Sequence, residues 1–323
     1  MRLLLLRRLL LALASAFVVA SVVFVLIRLA PGDPFASALD NPAVTDAVRE
    51  RWRAAYGLDQ PIATQYARFI ARAAQGDFGY SFTYRETVGR ALLRALPNTI
   101  LLMGTALLLS FALGIAIGVA QAARRGTLAD RAISGVTMLL YSLPDFWLAL
   151  MALLLLAYRI PVFPVGGTID TVMYEYFTPL ERLLDRARHL ALPALVLTVL
   201  TTGAVARHQR AALVEVAGED YLRTARAKGL GARDTLWRHA LRNALLPIIT
   251  LGGLAVPALL GGAVFVERVF AWPGMGLLAV NAVASRDYPL VTATVIVASL
   301  AVSAGALIAD LLQAAVDPRV RPA

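Results

Sequence analysis

LLLALASAFVVASVVFVLI, Leu9 to Ile27, runs nineteen residues without a charge, with Arg7 and Arg8 before it and Arg28 after it. The hydrocarbon core of a bilayer is about 30 Å thick, so a helix needs roughly 20 mainly apolar residues to cross it. A cleaved signal peptide also begins with a basic stretch and an apolar run. Its apolar run, however, is only about 7–15 residues long, so Leu9–Ile27 reads as a retained span. Five further apolar stretches follow, at about 98–122, 132–157, 189–206, 243–265 and 289–313. The fourth is short and has Pro193 in its first turns. The fifth is rich in Gly and Pro (Gly252, Gly253, Pro257, Gly261, Gly262), which membrane helices tolerate when neighbours re-satisfy the backbone. None alternates in the manner of a membrane β-barrel strand. The pattern predicts an all-α polytopic membrane protein with six transmembrane helices.

Composition agrees. The 323 residues are 59% hydrophobic and 16% charged, with a mean hydropathy of +0.68 and no Cys. Soluble domains carry about 25% charged residues. The balance excludes a disordered tail, a fibrous repeat and a disulfide-stapled domain, and the lack of Cys removes thiol catalysis and thiolate metal sites. The net charge of +10 would suggest nucleic acid in a soluble protein, so its placement matters. With the N-terminus on the cytoplasmic side, the inner segments 1–8, 123–131, 207–242 and 314–323, together with Asp310, hold a net +9. The outer segments hold +2, and Asp145 lies within a span. The positive-inside rule therefore gives an N-in, C-in topology, and the charge is not a nucleic-acid footprint.

The loops divide the chain into an N-terminal transmembrane helix (1–30), an external region (31–97), a five-helix core (94–313) and a C-terminal tail (314–323). The external region opens with the turn Pro31-Gly32-Asp33-Pro34 and has predicted helices near 43–56 and 60–74. It reads either as a docking surface or as packing around a pore mouth. The inner loop 207–242 carries 8 basic and 4 acidic residues and reads as helix, Gly turn, helix. The first helix runs from Asp220 to Lys228, with Gly229 and Gly231 just past it. Tyr221, Ala225 and Lys228 share one face, and Arg223, Ala227 and Leu230 an adjacent one. At ~1.5 Å per residue it is too short to span a membrane. A face made mostly of Ala is a poor lipid anchor and a good close-contact surface, so partner docking is favoured over membrane-lipid binding.

No phosphate loop, HExxH or GxSxG is present. Gly114 and Gly118 lie inside a span and read as packing positions. His189, His208 and His239 are scattered at the membrane ends and read as hydrogen-bonding residues. Neither catalytic nor metal-ligating residues are identified. A secondary transporter or channel would show inverted repeats and several buried ion-coupling residues, whereas only Asp145 is seen. A membrane-bound enzyme would need a catalytic constellation.

Arg223-Thr224-Ala225-Arg226-Ala227-Lys228-Gly229 resembles the cytoplasmic "EAA" loop of ABC-transporter permeases of the importer type. His239-Ala240-Leu241-Arg242-Asn243-Ala244-Leu245-Leu246-Pro247 is similar to the dipeptide/oligopeptide branch. Further stretches agree in order: Arg28 to Pro34, Tyr56 to Pro61, Gly76 to Ser81, Leu96 to Thr99, Phe270 to Gly276, Arg286 to Val291 and Asp317 to Arg321. The resemblance covers nearly the whole chain, and the long outer loop resembles the first of that system's two permease subunits. Two positions depart from the pattern. Arg223 and Thr224 replace the namesake Glu and the first Ala, so no Glu role carries over. Asp145 stands where a small or apolar residue is expected.

The resemblance implies a type I importer permease fold in the bacterial inner membrane, working by alternating access. Its implied partners are a second permease subunit, two ATPases that bind ATP and Mg, an extracytoplasmic substrate-binding protein and a peptide substrate. Nickel, glutathione or opine-like solutes are the implied alternatives. This chain would bind no cofactor. Asp220, Tyr221, Arg223, Thr224, Ala225, Arg226, Ala227, Lys228 and Gly229 would form the ATPase-coupling loop. Asp145 is the candidate for the translocation path, with a hydrogen bond between helices beside the Pro144 kink as the alternative. Trp272, Pro273 and Gly274 are candidates for an outer gate or a binding-protein contact.

Overall fold

The computed structural model describes residues 2–29, 59–81, 83–227, 229–231, 234–256 and 263–316. The expected helix near 43–56 and the 31–34 turn fall outside them. The helices are α1 (Arg2–Leu29), α2 (Ile62–Ala74), α3 (Val88–Ala123), α4 (Leu128–Ser142), α5 (Asp145–Ala152), α6 (Pro179–Val216) and α7 (Asp220–Ala227). There follow α8 (Leu241–Ala244), α9 (Leu246–Ala255), α10 (Val264–Val269), α11 (Met275–Ala284) and α12 (Tyr288–Val316). A two-stranded antiparallel hairpin, β1 (Tyr80–Ser81) and β2 (Glu86–Thr87), interrupts the otherwise helical chain. Leu153–Arg159 and Thr235–Ala240 are π-helical.

Among the described residues, four helices are long and apolar enough to cross a membrane: Arg8–Leu29, Val88–Ala123, Pro179–Val216 and Tyr288–Leu311. A fifth candidate is the pair α4 and α5, bent by 100°. The expected fifth span, 243–265, includes residues 257–262 outside the described set. Three expected spans differ in detail. The stretch at 98–122 belongs to a helix that starts at Val88 and carries Pro97 inside it. The stretch at 189–206 lies within α6, which starts at Pro179 and takes Pro193 into its interior. Its start is set by a capping box in which the Thr178 hydroxyl accepts from the Glu181 N–H and the Glu181 carboxylate accepts from the Thr178 N–H. The stretch at 132–157 is not one straight helix, because extended backbone at Leu143 and Pro144 ends α4 and starts α5. Pro cannot donate the missing bond and holds its own φ near −65°, which is why the break falls there.

The chain divides into two units. The first comprises residues 1–99, 260–264 and 273–304. Here the apolar surface of α1 remains largely exposed, with Leu10, Leu13, Val18 and Leu26 all more than half accessible. Such a surface suits lipid rather than water. α1 meets α2 through Phe24, which stacks on Phe69 at 5.4 Å and meets Tyr66 edge-on at 5.3 Å. Val88, Ala91, Leu92, Ala95, Met275, Leu278, Leu290 and Ala293 form its core. Buried Asp287 ties the hairpin to the start of α12, accepting from Ser81 Oγ at 2.6 Å, Thr83 N–H at 3.2 Å and Leu290 N–H at 3.2 Å.

The second unit comprises residues 100–259, 265–272 and 305–323. Its central element is α6. A Cβ added to Gly114 would lie 2.6 Å from Val205 Cβ, and one added to Gly118 would lie 2.6 Å from the Ala206 carbonyl oxygen. Both glycines therefore permit α3 to touch α6, the packing role expected of them. Gly203 gives α4 the same approach, with Thr137 O 2.7 Å from its virtual Cβ. Asp130, buried at the start of α4, accepts a two-pronged bond from Arg210 of α6 at 2.8 and 2.7 Å.

Candidate functional site

Most of the residues 207–242 fold back onto the second unit. α7 is polar, Asp-Tyr-Leu-Arg-Thr-Ala-Arg-Ala, with Leu222 as its one large aliphatic side chain. Leu222 is 0% exposed and packs with Val119 of α3, Ala212 and Leu213 of α6, Ala240, and Ala244 of α8. A second tie is the Asn243 amide, which donates to the Tyr221 hydroxyl at 2.7 Å. The other described side-chain hydrogen bonds of α7 lie within the helix: Arg223 pairs with Asp220 at 3.2 Å and the Thr224 hydroxyl donates to Asp220 O at 3.0 Å.

The outward surface is correspondingly open. Asp220, Tyr221, Arg223, Thr224 and Ala227 are exposed. Gly229 follows with φ +86°, and a Cβ there would meet nothing within 4 Å. Its requirement for Gly is thus set by backbone conformation rather than by space. Leu230 and Trp237 are also exposed beside it. Lys228 and the side chains of Ala225 and Arg226 fall outside the described set. Thr235 re-anchors the chain after the turn, its hydroxyl and its N–H both donating to Gly231 O at 3.0 Å. The result is a short helix held by one buried leucine and the Tyr221–Asn243 bond, with Arg223 exposed on it and Leu230 and Trp237 exposed in the residues that follow.

The sequence reading placed Leu230 on a face with Arg223 and Ala227 but did not single out Leu222 or Trp237 for this site. For Leu222 the signal was available: a lone large aliphatic residue in a polar eight-residue helix is the one that burial must claim. For Trp237 it was not, because the π-helical register of 235–240 has no distinctive sequence pattern.

Asp145 is the first residue of α5, exposed, immediately after the break at Pro144. Among the described residues it has no hydrogen-bond or ion-pair partner. Phe146 beside it packs against Phe265 with ring centroids 6.2 Å apart.

Trp272 is 1% exposed and its backbone N–H donates to Glu267 O at 2.8 Å. Gly274 is buried and starts α11, while Ala271 and Pro273 are exposed. A protein touching this segment would meet Ala271 and Pro273, not the indole of Trp272. Two of the three histidines stand in hydrogen-bonding roles: His189 Nδ1 lies 2.9 Å from Asp185 O and His208 Nδ1 2.9 Å from Ala204 O, whereas His239 is exposed and makes no side-chain hydrogen bond among the described residues. Among the described residues there is no group of three His, Asp or Glu placed to hold a metal ion.

Comparison with known proteins bears on this arrangement. Residues 111–322 match the family model described as the binding-protein-dependent transport system inner membrane component. Residues 1–103 match the model for the N-terminal part of such membrane components. The chain is 38% identical to the oligopeptide transport system permease protein AppB of Bacillus subtilis (strain 168), covering 97% of this chain and 98% of that one. It is 37% identical to the di/tripeptide transport system permease protein DppB of Pseudomonas aeruginosa (strain UCBPP-PA14), over 98% of this chain and 97% of the relative. It is 34% identical to the dipeptide transport system permease protein DppB of Escherichia coli (strain K12), over 98% of both.

Proposed function

The chain belongs to the family of inner-membrane components of binding-protein-dependent transport systems, and from that membership we propose that it is the membrane-spanning permease subunit of an ATP-driven importer of di- and oligopeptides. Relatives named for oligopeptide, di/tripeptide and dipeptide transport support the substrate class. In this reading the chain crosses the inner membrane six times with both ends inside. It forms half of the path with a second permease subunit and receives peptide from a substrate-binding protein outside. Two ATPase subunits inside bind ATP with Mg2+ and supply the energy.

The observation that carries the coupling role is the construction of α7. A polar helix held by one buried leucine leaves most of its surface open to a partner. Seated in a cleft of an ATPase, α7 moves as that cleft closes. Leu222 passes the movement to α3, α6 and α8, which it touches. Arg223, the one described cation of α7, is available to an acidic ATPase surface.

Gly229 provides the test. A side chain in the left-handed region costs about 1–2 kcal/mol at an L-residue, and most for a β-branched one. Gly229→Val is expected to leave the protein inserted at normal abundance, with ATP hydrolysis retained and peptide uptake lost. Normal uptake at normal abundance would sink the coupling role. Co-purification of the tagged chain must also bring down a second permease and two ATPases.

A further inference from the structure

We infer that Asp145 and Arg207 line the aqueous path and read the two charged ends of a short zwitterionic peptide, Asp145 its ammonium and Arg207 its carboxylate. The inference deepens the peptide-importer reading and rests on it.

The first observation is the break itself. Non-helical backbone at membrane depth is tolerated only where it is buried in protein or borders a water-filled cavity. Between α4 and α5, Ser142, Pro144, Asp145 and Phe146 are all exposed, so the protein does not bury this break within the chain. The second is the unpartnered acid. An ionisable residue inside a span is costly, and it faces a cavity or a partner charge. The hydrogen bond between helices that could have explained Asp145 is not formed with any described residue.

The third is an exposed opposite charge beside the end of α4. The exposed Arg207 of α6 reaches along the helix to place its guanidinium 5.2 Å from the centre of the exposed Tyr141 ring. Tyr141 lies in the last turn of α4, just before the break. An aromatic ring holds a cation by attraction to its face and leaves the other side of the guanidinium open to an anion. Arg207 and Asp145 do not pair with each other among the described contacts, so both charges remain available. A separated cation and anion, near a break that the chain leaves exposed, match the charge pattern of a peptide with free termini.

The test uses the complete transporter, with both permeases and both ATPases, reconstituted into proteoliposomes with its binding protein and supplied with trialanine. Asp145→Asn is expected to lower uptake about tenfold, the loss of one charge-assisted contact. Asp145→Glu restores uptake to within about twofold. Arg207→Gln falls similarly and Arg207→Lys recovers part of the loss. Uptake by Asp145→Asn equal to wild type overturns the inference. So does equal loss in Asp145→Asn and Asp145→Glu with falling abundance, which marks a structural role. Loss of the second permease from the purified Asp145→Asn complex also overturns it, by showing that Asp145 pairs with that subunit. A wild-type complex that hydrolyses ATP but takes up no trialanine would instead refute the peptide reading, and this inference with it.

Discussion

Replacing Leu222 with Ala isolates the mechanical link between α7 and the rest of the second unit. The side chain is 0% exposed, and Leu→Ala at such sites costs about 2–5 kcal/mol from lost burial plus the cavity left behind. What would remain is the Asn243–Tyr221 bond of 2.7 Å, whose net worth is about 0.5–1.5 kcal/mol. The Arg223–Asp220 pair offers no replacement: it is internal to α7 and its side chains are 73% and 93% exposed. At about 1.4 kcal/mol per factor of ten, even the low end of the Leu222 loss shifts α7 toward an undocked state roughly 30-fold. Hydrogen exchange on the protein in nanodiscs reads this directly. Amides 220–227 should lose protection in Leu222→Ala while those of α6 keep theirs. Thr224→Ala, whose hydroxyl bonds only within α7, serves as the control and should change little. In proteoliposomes Leu222→Ala should hydrolyse ATP with little uptake. Unchanged protection of α7 in Leu222→Ala, or an equal loss in Thr224→Ala, would refute the single-anchor reasoning.

Gly118→Ala puts a methyl group 2.6 Å from the Ala206 carbonyl oxygen and should destabilise the α3–α6 contact by about 1–3 kcal/mol, seen as a lower melting temperature in detergent. Gly104→Ala, on the same helix with nothing within 4 Å, should be neutral or slightly stabilising in that measurement. In the segment between α5 and α6 the Met173 and Val172 N–H groups donate to Asp170 at 3.0 and 2.9 Å and hold its carboxyl below the usual carboxylate range. A depressed pKa stabilises the fold above the unfolded value and loses that contribution as pH falls through the folded one. Acidification should therefore loosen this loop, with the change lying below the ordinary carboxylate range. Because the chain has no Cys, a fluorophore on Val172→Cys reports on it site-specifically, and Asp170→Asn should show the loosened signal already at pH 7.

Several features were legible in the sequence because they rest on local chemistry. The uncharged run at Leu9–Ile27 lies within α1, the helix predicted near 60–74 is α2, and Gly229 sits in the left-handed region just past α7. Apolar length, amphipathic spacing and the steric freedom of Gly each act within a few residues, so each can be read there. The ends of α3 and α6 were missed because they extend past the apolar runs as polar helix, where a hydropathy pattern carries no signal. The break at Leu143–Pro144 showed only as a Pro in an apolar run, which fits a mild kink as well as a bend of 100°.

By itself, then, the sequence determined that this is a helical membrane protein and which family it resembles, with an N-in, C-in orientation as an expectation. Those conclusions follow from the thickness of the bilayer and from charge placement, both of which act on the chain residue by residue. Only the tertiary structure decided which residue holds α7 in place, that Trp272 is a packing residue while Ala271 and Pro273 face outward, and that Asp287 fastens the hairpin to α12. Among the described residues Asp145 has no hydrogen-bond or ion-pair partner. Burial and pairing depend on what lies across the fold, often more than a hundred residues away in the chain, and no local pattern records that.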